Sequence, residues 1–198
     1  MRRLGDLIAD LENGWSPKCI PTPAAADEWG VLKLGAVSFG TFNERENKKL
    51  PATLSPKSNF EVKPGDVLIS RANVLRLVGA CARVVETRPK LMLCDKIFRV
   101  VFRKESEIDP DYLANILRAP FVREQIERAA TGTSPTMKNI SKPSLLNLQL
   151  PLPSLAAQQQ IVAEVNKKSA EAARLRQQAD AVAAESLARV EAMVLGTI

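Results

Sequence analysis

The chain has 198 residues, 45% apolar and 25% charged, with 28 Lys/Arg against 22 Asp/Glu for a formal net charge of +6. This is the make-up of an ordinary soluble protein of one or two domains, and no run approaches the roughly 18–20 apolar residues of a membrane span. Histidine is absent and Cys19, Cys81 and Cys94 form no CxxC pair, which excludes His-based triads and the commonest zinc sites and leaves free, buried or semi-buried thiols as the expectation.

The amino terminus meets an acid at Asp6 before any apolar signal core, so a cytoplasmic protein is expected. Leu4, Leu7, Ile8 and Leu11 have helical spacing, with Asn13-Gly14 as a stop. Residues 15–27 hold three prolines and read as an irregular loop; 29–34 read as a strand, followed by a turn-rich, charged passage through Lys57. The turn Pro64-Gly65-Asp66 launches a buried strand at 67–70, and 78–85 and 96–102 are further strand candidates. Asp109-Pro110 offers an N-cap with proline at N1, leading into a helix at 112–117. Ala119-Pro120 restarts a helix through Arg128, with Phe121, Val122 and Ile126 as its apolar face. Residues 129–144 are polar and flexible in composition, 145–150 are extended, and Pro151-Leu152-Pro153 closes the domain. The fold class is therefore mixed α/β, with a change of character after Ser154.

From 155 onward no proline occurs and strong helix formers dominate. Val165, Ala172, Leu175, Ala179 and Val182 recur at heptad-like spacing, and Ala183, Leu187, Val190 and Val194 continue the stripe after a one-position drift. A helix over 156–195 is about 60 Å long, twice the roughly 30 Å width of a domain of about 150 residues. A partner helix, rather than the chain's own domain, is expected to cover its stripe.

The charge is unevenly placed. Residues 1–154 hold 23 Lys/Arg against 17 Asp/Glu, whereas 155–198 hold five of each, so the whole excess lies in the first part. No acid occurs between Asp66 and Glu86, between Glu127 and Glu164, or from Asn13 to Ala26. Such surfaces suit a polyanion through counterion release, the plain alternative being a solubility charge. Motifs for chemistry are missing. There is no Pro-Pro dipeptide for an amine-methylating loop, no GxxxxGK[ST] and no GxGxxG. Glu61-Val62-Lys63 and Pro110-Asp111 stand in the wrong order and too far apart for a nuclease core, and Ser55-Pro56-Lys57 is not a Ser-x-x-Lys.

Four segments together resemble the DNA-specificity subunit of type I restriction–modification systems. They are Leu4-Gly5-Asp6-Leu7-Ile8 with Gly14-Trp15-Ser16-Pro17; Trp29-Gly30-Val31-Leu32-Lys33 with Val37 and Gly40-Thr41-Phe42; Lys63-Pro64-Gly65-Asp66-Val67-Leu68-Ile69-Ser70-Arg71-Ala72-Asn73 with Val78-Gly79; and Thr131-Gly132-Thr133-Ser134 through Asn139-Ile140-Ser141 to Leu150-Pro151-Leu152-Pro153-Ser154-Leu155, Gln158 and Ile161-Val162. The resemblance implies a mixed α/β (α+β) target recognition domain at 1–154, followed by a long coiled-coil-forming helical spacer at 155–198. It implies no catalysis and no cofactor in this chain: S-adenosylmethionine would sit on modification (methyltransferase) subunits, and ATP with Mg on restriction subunits. Members of that family usually carry two recognition domains and two helical regions, and this chain has one of each. It is either a half-sized subunit or a piece of a longer one. In both cases two copies paired antiparallel through the helix at Val165, Ala172, Leu175, Ala179, Val182, Leu187, Val190 and Val194 would rebuild the two-domain plan as a homodimer reading double-stranded DNA with an inverted-repeat, two-part target. The roughly 60 Å helix is a little under two duplex turns.

Arginine pairs well with guanine and Asn/Gln with adenine, because each offers two hydrogen bonds in one plane. Arg71, Asn73 and Arg76 follow a buried strand in an acid-free loop and are the leading candidates for DNA contact; the alternative for Arg71 is a structural arginine bonding nearby carbonyls. Thr133, Ser134, Lys138 and Asn139 form a second candidate loop, and Ser16 with Lys18 a third. Trp15 and Trp29 fit loop anchors better than base-stacking platforms. A coiled-coil interaction adaptor with an incidental basic surface is the alternative function, and a stand-alone nuclease a third.

Overall fold

The computed structural model describes residues 1–134 and 137–196; Pro135 of the second candidate loop and the last two residues of the helical region lie outside them. From the amino terminus, β1 (Arg2–Arg3) leads into a single helical turn, α1 (Leu4–Leu7), and then β2 (Ile8–Asn13). Past the proline-rich loop come β3 (Gly30–Leu32), β4 (Val37–Ser38), β5 (Thr41–Phe42) and β6 (Asn47–Lys49). Next are β7 (Val67–Ser70), β8 (Ala72–Asn73), β9 (Cys81–Arg83), β10 (Leu91–Met92) and β11 (Ile97–Phe102). The chain then runs through α2 (Pro110–Ile116), α3 (Pro120–Ala129), β12 (Lys138–Asn139), α4 (Lys142–Leu146), β13 (Gln149–Leu150) and α5 (Leu155–Val194).

An antiparallel four-stranded sheet in the order β2-β11-β7-β9 organises residues 1–158. Its strand β7 is buried at every position, as its unbroken Val-Leu-Ile run predicts. A second sheet, β10-β3-β6, brings Val31, Leu32, Leu91 and Met92 into one core cluster with Leu68, Ala82 and Ile97 of the first. Trp15 and Trp29 pack partly buried against that cluster, as anchors. Gly14 has to be glycine for reasons of space: a Cβ there would stand 1.9 Å from the Leu93 carbonyl oxygen.

The amino-terminal helix expected over Leu4–Leu11 is only one turn long; Ile8 onward is strand. A register shift between Val101 and Phe102 pairs Phe102 with Ile8 and Val101 with Asp10. That bulge puts Ile8 and Leu11 both inside at a spacing of three, which in the sequence imitates a helix. Two further expectations change. Val122 and Ile126 are buried on α3 as expected, but Phe121 is 43% exposed and Arg123 is buried with them in its place. Residues 145–150 are not extended throughout, because Ser141 caps α4 by accepting from the Ser144 amide, and only Gln149–Leu150 is strand, paired with Arg2–Arg3.

The start of α2 follows the expected chemistry: Asp109 accepts from the amides of Asp111 and Tyr112, each at 2.9 Å, with Pro110 at N1. Gln158, fully buried, donates to the carbonyls of Glu107 and Pro153 at 2.9 Å and accepts from the Asp109 amide at 2.8 Å, so the first turn of α5 is fixed by a satisfied buried amide. From Gln159 the helix forms a second unit, in which Leu175, Val182, Leu187, Val190 and Val194 are between 52% and 80% exposed. No helix among the described residues is long and apolar enough to cross a membrane.

Candidate nucleic-acid interface

In the four-stranded sheet, β2 ends at Asn13 and β7 at Ser70, while their partners β11 and β9 begin at Ile97 and Cys81. Phe98 pairs with Asn13, Ile97 with Ser70 and Ile69 with Cys81. The segments that leave β2 and β7 and those that enter β11 and β9 therefore share one end of the sheet. Ser16 and Lys18 lie on the first of these segments, and Arg71, Asn73 and Arg76 on the second.

Hydrogen bonds tie this end together. The Ser16 hydroxyl donates to Asp95 Oδ1 at 2.5 Å and accepts from the Asp95 amide at 3.0 Å. The half-buried Arg71 guanidinium rests over the Phe98 ring, 5.6 Å from its centroid, and Nη1 lies 3.5 Å from the Asp95 carbonyl oxygen. Its main-chain amide donates to Lys96 and its carbonyl accepts from Ile140. That last bond continues a short antiparallel ladder in which Lys138 faces Asn73 and Asn139 faces Ala72. The second candidate loop is thereby joined to the first. Within it, Thr131 and Asn139 exchange two main-chain hydrogen bonds of 2.8 Å, and Lys138 Nζ donates to the Gly132 carbonyl at 2.6 Å.

Five of the candidates, Ser16, Arg71, Asn73, Lys138 and Asn139, thus meet in one bonded cluster. Thr133 and Ser134 stand exposed on the loop that Lys138 closes, and Arg76 stands exposed beyond Asn73. Lys18 is exposed two residues past Ser16, outside the bonded cluster. The Asn73 carboxamide oxygen accepts from the Val74 amide at 2.9 Å, a bond that does not use its amide donors.

Asp95 and Lys96 complete this end and were not singled out in the sequence. Burial alone would push the Asp95 carboxyl up, but the Ser16 hydroxyl, the Lys96 ammonium at 3.3 Å and the Arg71 guanidinium together hold it below the usual carboxylate range. The signal available was Asp95-Lys96 standing directly ahead of the 97–102 strand; the pairing with Ser16, 79 residues away, is a product of the fold. Chemically the cluster offers guanidinium, ammonium, amide and hydroxyl donors around one internally paired acid, a set suited to phosphates and base edges. Glu61, whose Glu61-Val62-Lys63 pattern does not make a nuclease core, accepts from the Lys90 amide at 2.7 Å.

No family model matches the chain. It is 35% identical over 164 residues to the type I restriction enzyme EcoEI specificity subunit of Escherichia coli, a match covering 82% of this chain and 27% of that protein. Among solved structures it is similar to the HsdS subunit from Thermoanaerobacter tengcongensis, with TM-score 0.56 and 21% identity over 88% of this chain and 38% of that one. It is also similar to the type I restriction-modification S subunit from M. genitalium, with TM-score 0.53 and 18% identity over 83% and 37% of the two chains. The chain spans about a quarter of the curated relative's length and less than half of either solved chain. In sequence over most of its length, and in fold, it is a relative of the type I restriction specificity subunits.

Proposed function

We propose that this chain is the sequence-specific DNA-recognition subunit of a type I restriction–modification complex. Residues 1–154 read one half of a bipartite target, and residues 155–198 act as spacer and dimerisation helix. Two copies, paired through α5, position the modification and restriction subunits on the duplex in the cytoplasm. The chain supplies recognition and no chemistry; S-adenosylmethionine, ATP and Mg belong to the partner subunits. The observation that carries this reading is the convergence of the candidate loops on one end of a sheet, in a chain 35% identical to a specificity subunit.

An antiparallel pair is supported by how α5 distributes its charges. Up to Arg176 it holds Lys167, Lys168, Arg174 and Arg176 against Glu164 and Glu171; beyond that it holds Asp180, Glu185 and Glu191 against Arg189 alone. Two copies running in opposite directions set each basic half beside the other's acidic half, whereas a parallel pair would set like against like.

Methylome sequencing of cells that express this chain with its methyltransferase tests the reading. The expected result is modified adenines in a two-part, inverted-repeat motif. Two unrelated half-sites would overturn the homodimer, and an unchanged methylome would overturn the recognition role. Binding to duplexes that is insensitive to salt would favour the adaptor alternative.

A further inference from the structure

Beside the start of β9, Phe39, Arg76, Arg118, Arg123 and Glu127 line a cavity of about 320 Å³. Three guanidiniums and one carboxylate converge there, from parts of the chain up to 51 residues apart. Arg123 is the one whose donors are used. Its Nη1 donates to the Val78 carbonyl at 2.7 Å, its Nη2 lies 3.3 Å from the Arg76 carbonyl and 3.4 Å from Glu127, and it rests over the Phe39 ring at 5.0 Å. It holds the 75–78 loop in place from inside and takes up the one acid of the cavity.

Arg76 and Arg118 are exposed, and among the described residues neither has an acid within ion-pair distance. Arg118 packs against Gly40, where a Cβ would stand 2.6 Å from Nη1; Gly40 also has φ +69, so two constraints keep a side chain out of this place. The Gly40 amide donates to the Cys81 carbonyl at 2.8 Å, which seats the cavity at the sheet end that carries the candidate interface. A pair of planar forks on a rigid footing, free of acid partners, matches the bidentate recognition of phosphate oxygens.

We propose that Arg76 and Arg118 form a clamp for a phosphodiester of the DNA backbone, with Arg123 and Phe39 as its positioning support. The clamp extends the interface around the 74–80 loop and rests on the DNA-recognition reading given above. It fixes register on the duplex and carries no sequence preference.

The test compares the full-length chain with its Arg76→Gln and Arg118→Gln variants, alone and with its modification subunit, on target and scrambled duplexes over a salt series. Both positions are exposed, so both variants are expected to keep the parent's melting temperature. Each substitution should weaken binding by the same factor on every duplex and reduce the slope of log affinity against log salt by about one. Unchanged affinity and slope in both variants, with the parent binding DNA steeply, would overturn the clamp and leave the recognition reading standing. A parent without affinity for either duplex would overturn both. Intact DNA binding together with loss of the modification subunit would assign the arginines to a protein contact. Calorimetric saturation by inorganic phosphate, with DNA affinity unaltered in the variants, would assign them to a free anion; either outcome overturns the clamp.

Discussion

Arg71 shows how one side chain serves two demands. Its stacking over Phe98 and its contact with the Asp95 carbonyl hold the guanidinium, while the side chain stays only half-buried. If that guanidinium reads a base, Arg71→Ala should weaken binding by about 1–3 kcal/mol and relax preference at one base pair only, which a set of single-pair duplex variants will show. The cysteines behave differently. Burial pushes the Cys81 thiol up to about 12 and the Cys94 thiol to about 11, from an ordinary value of 9.0. A thiol that holds its proton more tightly when folded contributes stability that is fully present below about pH 9 and is lost as the pH rises toward the folded values. Urea unfolding at pH 8 and pH 10 should therefore show a drop that Cys81→Ala makes smaller. Burial of these thiols was legible in their apolar neighbours. The Ser16–Asp95 contact was not, since it joins residues that only the sheet's register brings together.

Among the elements, those that state their environment locally were readable. The 67–70 strand opens on an unbroken Val-Leu-Ile run, α2 has its Asp-Pro start, and strong helix formers dominate the forty residues of α5. Elements defined by a distant partner were not. The two-residue strands Ala72–Asn73 and Lys138–Asn139 exist only because they meet, and no periodicity fits in so short a span. Ile8–Asn13 was hidden by its own bulge. For α5 the exposed stripe makes a direct expectation: Leu175→Glu with Val182→Glu would bury unpaired charge in a helix pair and should convert a dimer to a monomer in sedimentation. An unchanged oligomer would mean that other residues form the contact.

For the whole molecule, if two copies pair as proposed, helix length becomes a distance along DNA. Removing seven residues from the middle of α5 keeps the heptad phase and shortens the helix by about 10 Å. The gap between the two halves of the modified motif should then shrink by up to about three base pairs, with each half unchanged, as methylome sequencing will report. A gap that stays the same would place the spacing control outside α5.

If the chain reads DNA as proposed, the ladder between Ala72–Asn73 and Lys138–Asn139 constrains how its specificity can change. Either segment grafted alone from a relative would arrive without the main-chain partner it was shaped against, and both edges would be left unsatisfied. Heritable shifts in target preference should accordingly arise by exchange of the two segments as a unit, or by side-chain replacement within a preserved backbone.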